Sequence, residues 1–240
     1  MKTLVLYVFN ELNKNLTSFI ANGIFLDHDV DFFLINNGCH NEPVLPEYVI
    51  YFKCDKVGSD FLAWSRGLLY NDLYKDYDNF ICLNSDASGP YLPSYFQGRW
   101  TDIYLNGLTG NIRLFGSTIS TETDPETLSH LLTYVFAMNK ETLEFLITKQ
   151  IFSITDTSKA SKEFKMSRLV LENGWNIGCL MRYYDGVDFR FLASTPSDYK
   201  PFLGNPLVSK NFSNRIFNNF YEFVFIKSSQ FDFNLSGIDI

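Results

Sequence analysis

The feature that most constrains the fold is a series of continuous apolar segments, each ending in polar turn residues. Four such segments occur in the first part of the chain, at 2–9, 30–35, 48–52 and 80–83. Stretches with helical periodicity lie between the first and second segments (11–23) and between the third and fourth (59–73). Continuous apolar strands separated by helices are typical of a parallel sheet that is covered on both faces. The sequence therefore predicts an α/β fold.

The second half of the chain continues this alternation less regularly. Its apolar periodicity predicts helices near 99–108, 139–149, 160–173 and 211–223, strands at 112–118 and 175–180, and either a strand or a short helix at 131–138. No internal repeat, low-complexity tract or linker is present in the sequence. We therefore predict a single domain, residues 1–185, with a C-terminal extension, 186–240, packed on it.

Charge and composition narrow the class of ligand. The formal net charge is −7 and the pI is about 5.0. A nucleic-acid-binding surface is normally a basic stripe, so we exclude that class of partner. Aromatic residues make up 17% of the chain, which suits a thick core and stacking on flat ligands. Any phosphate would be held by backbone N–H groups, a metal ion or one or two basic residues.

Compartment and catalytic class follow from what the sequence lacks. The first apolar segment has no cleavage site after it, and no stretch approaches the ~20 apolar residues of a membrane span. The four cysteines lie far apart and form no C-x-x-C motif, which favours reduced thiols in a cytoplasmic protein. With three histidines, the chain has little from which to build a Ser-His-Asp or multi-histidine zinc mechanism.

Polar residues at four strand ends would meet at one edge of a parallel sheet: Phe9-Asn10, 36–38, 57–60 and 84–86. Ligands of open α/β sheets bind beyond these carboxyl ends. Ordinary turns would use the same residue types, so that reading stays open. Asp86 in particular could hold Mn²⁺ or Mg²⁺ against a diphosphate. The sequence contains neither a P-loop nor a G-x-G-x-x-G motif.

Three segments resemble the nucleotide-sugar glycosyltransferases of the GT-A fold. Residues 57–64 (VGSDFLAW) are similar to N-x-G-x-D-x-x-x-W, residues 80–93 (FICLNSDASGPYLP) to F-x-x-L-N-x-x-x-x-G-P-x-L-P, and residues 163–175 (EFKMSRLVLENGW) to E-x-x-x-S-x-x-x-L-x-x-G-W/Y. These patterns belong to the rhamnan-synthesis-like subgroup found in bacteria and large algal viruses. The resemblance implies a GT-A-like, Rossmann-like sheet flanked by helices, and a host-cytoplasmic location if the protein is viral.

The resemblance also implies a donor site made of six residues: Phe9, Asn10, Asn37, Asp60, Asn84 and Asp86. In this family a D-x-D motif ends a strand, and its last carboxylate binds the metal that carries the donor diphosphate. Here the motif reads Asn84-Ser85-Asp86, so Asp86 is the expected ligand of Mn²⁺ or Mg²⁺. Asn84 and Asn37 stand where relatives carry acids. Relatives also offer a late histidine, for which Asp185 or Asp188 would have to substitute.

The remaining implied roles concern the acceptor. Glu163 falls where inverting members carry the base that deprotonates the acceptor hydroxyl. Three residues, Arg99, Trp100 and Trp175, would flank the acceptor glycan. The resemblance thus predicts a metal-dependent, inverting transferase that moves a sugar from a nucleotide diphosphate, with UDP favoured, to a glycan hydroxyl. The alternative is a catalytically silent GT-A-like module that binds a nucleotide or glycan.

Structural roles remain open for several of these residues. Glu163 would also suit the first turn of a helix, because an acid there favours the helix dipole. Asp86 would also suit an Asx turn, and Asp60 a helix cap. The cluster Asp27-His28-Asp29 has metal-ligand chemistry, but it precedes a strand and is expected to be a solvated turn.

Overall fold

The computed structural model describes residues 1–55, 58–121, 129–155, 162–191 and 220–228 of the 240-residue chain. These ranges contain five α-helices: α1 Lys14–Asn22, α2 Asp60–Leu69, α3 Trp100–Asn106, α4 Lys140–Thr148 and α5 Lys162–Glu172. They also contain eleven strands: β1 Thr3–Phe9, β2 Val30–Asn37, β3 Ile50–Cys54, β4 Asn79–Asn84, β5 Ala87–Ser88, β6 Ile112–Gly116, β7 Ile119–Ser120, β8 His130–Leu131, β9 Val135–Asn139, β10 Asn176–Cys179 and β11 Ile226–Lys227.

Seven of these strands form the central sheet, in the order β10-β6-β9-β4-β1-β2-β3. Strands β1, β2, β3 and β4 are mutually parallel, and β10 is parallel to β6. Strand β9 is antiparallel to both of its neighbours. The predicted α/β class with a mostly parallel, Rossmann-like sheet is confirmed, and the ambiguous segment 131–138 contains strands.

Helices cover both faces of the sheet, which explains the continuous apolar strands. All seven residues of β1 are buried, and successive side chains of a strand point to opposite faces. On one face, Tyr7 stacks on Phe19 of α1 at 4.4 Å between ring centroids, and α3 joins the same apolar cluster. On the other face, α2, α4 and α5 pack in a second cluster that contains Leu4, Leu6 and Trp64.

The sheet reverses its direction of growth at β1. From β1 the chain crosses one face through α1 to reach β2 and then β3. It returns across the opposite face through α2 to β4, on the other side of β1. Such a reversal leaves a crevice between the carboxyl ends of the two strands where it occurs, here β1 and β4. We call the edge at which β1, β2 and β4 end the carboxyl edge, and the opposite edge the amino edge.

The segment 220–228 packs against elements that lie much earlier in the sequence. Strand β11 pairs antiparallel with β5, which follows the carboxyl end of β4. The carbonyl of Phe223 accepts hydrogen bonds from Ser117 Oγ at 2.7 Å and Tyr104 Oη at 3.2 Å. Residues 220–222 form a short 3₁₀ helix, and the rest of the helix predicted near 211–223 lies outside the described residues. The boundary between residues 185 and 186 stays a prediction.

Two further expectations concern membranes and cysteines. None of the helices that the structure describes has the length and apolarity needed to cross a bilayer. All four cysteines have free thiols, and Cys39 and Cys82 are buried. Burial in the apolar sheet raises the pKa of the Cys82 thiol far above its ordinary value. The buried thiols of Cys39 and Cys82 therefore contribute to packing.

Candidate functional site

A polar cavity of about 340 Å³ lies at the carboxyl ends of β1 and β4, where the sheet reverses. Seven side chains line it, and all are acidic, amide or hydroxyl groups: Asn10, Glu11, Asn13, Asp60, Asn84, Ser85 and Asp86. The lining includes no basic residue. Four of the six predicted donor-site residues are therefore brought together: Asn10, Asp60, Asn84 and Asp86.

Two helices begin at this cavity, one from each face of the sheet. Asn13 caps α1, because its Oδ1 accepts a hydrogen bond from Leu16 N at 2.9 Å. Ser59 caps α2 in the same way through Leu62 N at 3.3 Å. The first N–H groups of a helix are free of intrahelical partners and carry partial positive charge. The two helix ends therefore favour a negatively charged ligand.

The Asp60 carboxylate is turned toward the carboxyl end of β4. Its Oδ2 accepts a hydrogen bond from Asn84 Nδ2 at 2.8 Å. The cap of α2 is Ser59, so the capping role considered for Asp60 is not the one that it has. Burial, with a further contribution from the nearby Asp86 charge, raises the pKa of Asp60 above its ordinary value, although the Asn84 hydrogen bond and Lys227 oppose the shift.

The Asp86 carboxylate is left without a hydrogen bond among the described residues. The Asx turn at this strand end is made by Asn84, whose Oδ1 accepts from Asp86 N at 3.1 Å. The backbone around Asp86 is fixed, because its carbonyl accepts hydrogen bonds from both Ser228 N and Ser228 Oγ. The amide of Asn15 holds the Ser85 carbonyl at 2.8 Å. A fixed backbone with an uncommitted carboxylate suits a ligand-binding group.

Glu163 lies at the same edge of the sheet, at the start of α5. Its Oε2 accepts hydrogen bonds from both the backbone N–H and the hydroxyl of Thr133. Tyr134, the next residue, accepts the backbone N–H of Asn84 at 3.2 Å, which links Glu163 to the end of β4. The other carboxylate oxygen of Glu163, Oε1, is 3.7 Å from Nε2 of the buried His130. The Glu163 side chain is 26% exposed.

The other two predicted donor residues do not line the cavity. Phe9 is 1% exposed, and its ring belongs to the apolar cluster on the α1 face. Asn37 ends β2 at the carboxyl edge and is 4% exposed. The turn after it is held by Asn36, whose Oδ1 accepts from Cys39 N at 2.7 Å. Contacts of Phe9 and Asn37 with a donor stay predictions.

Arg99 and Trp100, which were predicted to flank the acceptor, do not line the cavity, and their role at an acceptor stays a prediction. Trp100 is 2% exposed and donates its indole N–H to the Gly23 carbonyl at 2.8 Å. Arg99 forms salt bridges with Asp27 at 3.0 Å and Asp102 at 2.8 Å. Asp27 precedes the first residue of β2, so this cluster lies at the amino edge, opposite the cavity. The aromatic ring and the cation are used for packing and ion pairing.

Trp175, the third residue predicted to flank the acceptor, does not line the cavity either. Trp175 directly precedes β10, which runs parallel to β6, and it therefore lies at the amino edge. Its ring packs against Phe145 at 5.1 Å and beneath the Arg113 guanidinium at 5.7 Å. An acceptor held there would be on the wrong side of the sheet for Glu163.

The cluster Asp27, His28 and Asp29 also lies at the amino edge. Among the described residues, it is the one group of three metal-capable side chains with ligand atoms within 4.8 Å of one another. Asp27 already accepts from Asp29 N at 2.8 Å and pairs with Arg99, and these interactions lower its pKa. The His28 side chain is 88% exposed. The expected solvated turn agrees with this exposure.

Sequence reasoning missed several residues of the site. Glu11, Asn13 and Ser85 line the cavity without having been predicted to do so. Asn13 carried a usable signal, because an Asn before a helical pattern predicts a cap at the strand end. Lys227 and Ser228 carried none, since their place beside Asp86 depends on the pairing of β11 with β5.

Comparisons with known proteins add little to this geometry. No family model matches the sequence, and no curated protein is similar to it in sequence. Among solved structures, the chain is similar to A197 from STIV, with a TM-score of 0.35 and 11% identity over 60% of this chain and 68% of that chain. A similarity at this level carries no argument about function, so the site must be interpreted from its own residues.

Proposed function

We propose that this protein is a nucleotide-sugar glycosyltransferase of the GT-A type, with a UDP-sugar as the favoured donor. The proposal depends on one observation: Asp60, Asp86 and the N-termini of α1 and α2 all lie at the crevice between β1 and β4. Carboxylates suit a hard divalent cation, and helix N-termini suit phosphate oxygens. A metal-bound diphosphate combines both chemistries in one ligand.

The donor set fits Mn²⁺ or Mg²⁺. Asp86 offers an uncommitted carboxylate, and Asp60 lies close enough for the two charges to interact. Oxygen ligands from one or two carboxylates, completed by water and phosphate, are typical of these ions. When bound, the ion would offset the negative charge that develops on the leaving diphosphate. The amide of Asn84 would orient Asp60 through its hydrogen bond of 2.8 Å.

Glu163 supplies the base in this proposal. The acceptor oxygen forms a bond to the anomeric carbon while the bond from that carbon to the diphosphate oxygen breaks, and the hydroxyl proton passes to Glu163. Thr133 holds Oε2 of Glu163, so the proton would be taken by Oε1. One carboxylate in this position favours a single displacement with inversion.

Two observations favour a second candidate, a silent module that binds a nucleotide or a glycan. The first residue of the motif is the amide Asn84, and the Glu163 carboxylate is already held by Thr133. Slow hydrolysis of the donor in the absence of acceptor separates the two functions. An active transferase hydrolyses the donor, and a silent module binds it unchanged.

The test is a thermal-shift series with UDP, GDP, dTDP and CDP, each with and without Mn²⁺. A ligand that binds only the folded state raises the melting temperature by mass action. We expect a shift for one nucleotide that requires Mn²⁺. A shift that is indifferent to Mn²⁺ would remove Asp86 as a metal ligand. The absence of a shift with every nucleotide would contradict the proposed donor.

A further inference from the structure

The cavity has an excess of negative charge that a divalent cation alone does not balance. Glu11, Asp60 and Asp86 contribute three carboxylates, and none of them forms a salt bridge among the described residues. A divalent cation would offset two of these charges, and a diphosphate would then add at least two more. Unbalanced like charges at short distance are unfavourable, especially where burial lowers the effective dielectric. A further cation next to the cavity would offset the remaining negative charge, in addition to the two helix N-termini.

Lys227 is placed to supply it. Strand β11 pairs with β5 so that Lys227 lies opposite Ala87, the residue after Asp86. The next residue, Ser228, is hydrogen-bonded to the backbone carbonyl of Asp86. Lys227 has no salt bridge among the described residues, in contrast to Arg99 and Lys75, whose charges are paired.

The segment that carries Lys227 is fixed against the site from several sides. Ser228 donates two hydrogen bonds to the Asp86 carbonyl, and its hydroxyl accepts one from Asn15 Nδ2 at 2.7 Å. Tyr91 N donates to the Val224 carbonyl at 2.7 Å. The position of Lys227 beside Asp86 is therefore set by the fold, and its side chain is only partly exposed.

We infer that Lys227 is a binding residue for the diphosphate of the ligand and contacts a non-bridging phosphate oxygen. A lysine ammonium binds phosphate as a compact point charge, so its contribution does not depend on the base or the sugar. This inference rests on the proposed function. It places the diphosphate of the donor between β11 and Asp86.

The test measures binding of inorganic pyrophosphate with Mg²⁺, and of UDP with Mn²⁺, by calorimetry. Pyrophosphate has the diphosphate group but no base, so its binding tests the diphosphate contact alone. Lys227→Met should weaken both ligands by about tenfold or more, as expected for the loss of a charged contact. Lys227→Arg keeps the charge and should restore most of the affinity. Lys75→Met, which removes a cation at the amino edge, should bind like the unmodified protein.

Three outcomes would overturn the inference. If the unmodified protein binds either ligand and Lys227→Met binds it equally well, the assignment of Lys227 fails while the proposed function stands. A loss in Lys14→Met with none in Lys227→Met would move the contact to α1. If the unmodified protein binds neither pyrophosphate nor any nucleoside diphosphate, the proposed function fails as well. Equal melting temperatures of the unliganded variants establish that each is folded.

Discussion

Both edges of the sheet carry acidic residues, but the acids differ in whether a cation pairs with them. At the amino edge, Asp31 pairs with Lys2 at 2.8 Å, and Asp27 pairs with Arg99 at 3.0 Å. At the carboxyl edge, Asp60 and Asp86 have no cation at salt-bridge distance among the described residues. The backbone hydrogen bond from Asp29 and the pairing with Arg99 lower the pKa of Asp27, whereas burial and a like charge raise the pKa of Asp60.

This difference separates structural acids from candidate functional ones. Asp27 has its charge satisfied within the fold, and little is gained by adding a ligand. The carboxylate of Asp60 is destabilised by burial and by the nearby Asp86 charge, and a bound cation would offset this. Sites with such destabilised charges are enriched in function because activity requires groups that the fold leaves unsatisfied. Matched substitutions at the two edges therefore test this separation.

The largest effect is expected from Glu163→Gln in donor hydrolysis. The amide keeps an oxygen that can accept from Thr133 but cannot take a proton, so turnover should fall by about 10²- to 10⁴-fold. Nucleotide binding should be retained. The matched control is Glu172→Gln at the other end of α5, where the acid is exposed and pairs with Arg168. Undiminished hydrolysis by Glu163→Gln would remove Glu163 from the mechanism.

Trp100→Ala should affect stability and leave the site intact. Removing this buried ring deletes its contacts with Phe19, Tyr104 and Phe225, so the free energy of unfolding should fall by about 3–5 kcal/mol. Trp175→Ala should be milder, because that ring is only partly buried. Denaturant unfolding measures both. An unchanged free energy of unfolding in Trp100→Ala would contradict its placement in the core.

Asp86→Asn should weaken metal-dependent nucleotide binding by at least about 10- to 100-fold, the range seen for groups that merely support a metal ligand. The side chain keeps its size and loses its charge. Asp27→Asn makes the same change at the amino edge and should leave binding unaltered. Calorimetry with UDP at several Mn²⁺ concentrations gives both values. Equal losses in the two variants would mean that the edges do not differ in function.

The smallest effect concerns stability and pH, where the two edges should differ in sign. A raised pKa means that ionised Asp60 destabilises the fold above that pKa, so Asp60→Asn should increase the free energy of unfolding at pH 7. The gain should shrink as the pH falls through the raised pKa, because Asp60 then becomes protonated in the unmodified protein. The hydrogen bond from Asn84 can persist in the variant.

Asp27 provides the opposite case. Its lowered pKa means that ionised Asp27 stabilises the fold above its ordinary value of 3.8, and that this stabilisation is lost as the pH falls through the lowered pKa. Asp27→Asn should therefore decrease the free energy of unfolding at pH 7. Urea titrations at pH 7 and at acidic pH measure both variants. The same sign for Asp60→Asn and Asp27→Asn at pH 7 would contradict the comparison.

Much of the carboxyl edge was predictable, because local patterns determine where a strand ends. The buried run of β4 ends at Asn84, directly after the apolar segment predicted at 80–83, and the helix predicted at 11–23 is α1, Lys14–Asn22. The parallel arrangement then brings Asn10, Asp60 and Asp86 together. The predicted acceptor residues do not line the cavity, because a motif does not reveal at which edge its side chains emerge. Trp100 and Trp175 are aromatic residues at loop ends, and both lie away from the cavity.

Short-range patterns predicted the alternating strands and helices and the carboxylate that follows β4, whereas the caps at Asn13 and Ser59 were identified from the structure. Each of these depends on residues within a few positions of one another. The tertiary structure decided which acids would be left unpaired and which cation would approach them. Ser228 contacts Asp86 across 142 positions of sequence, and Lys227 comes with it. Such contacts depend on packing over the whole domain, and no local periodicity encodes them.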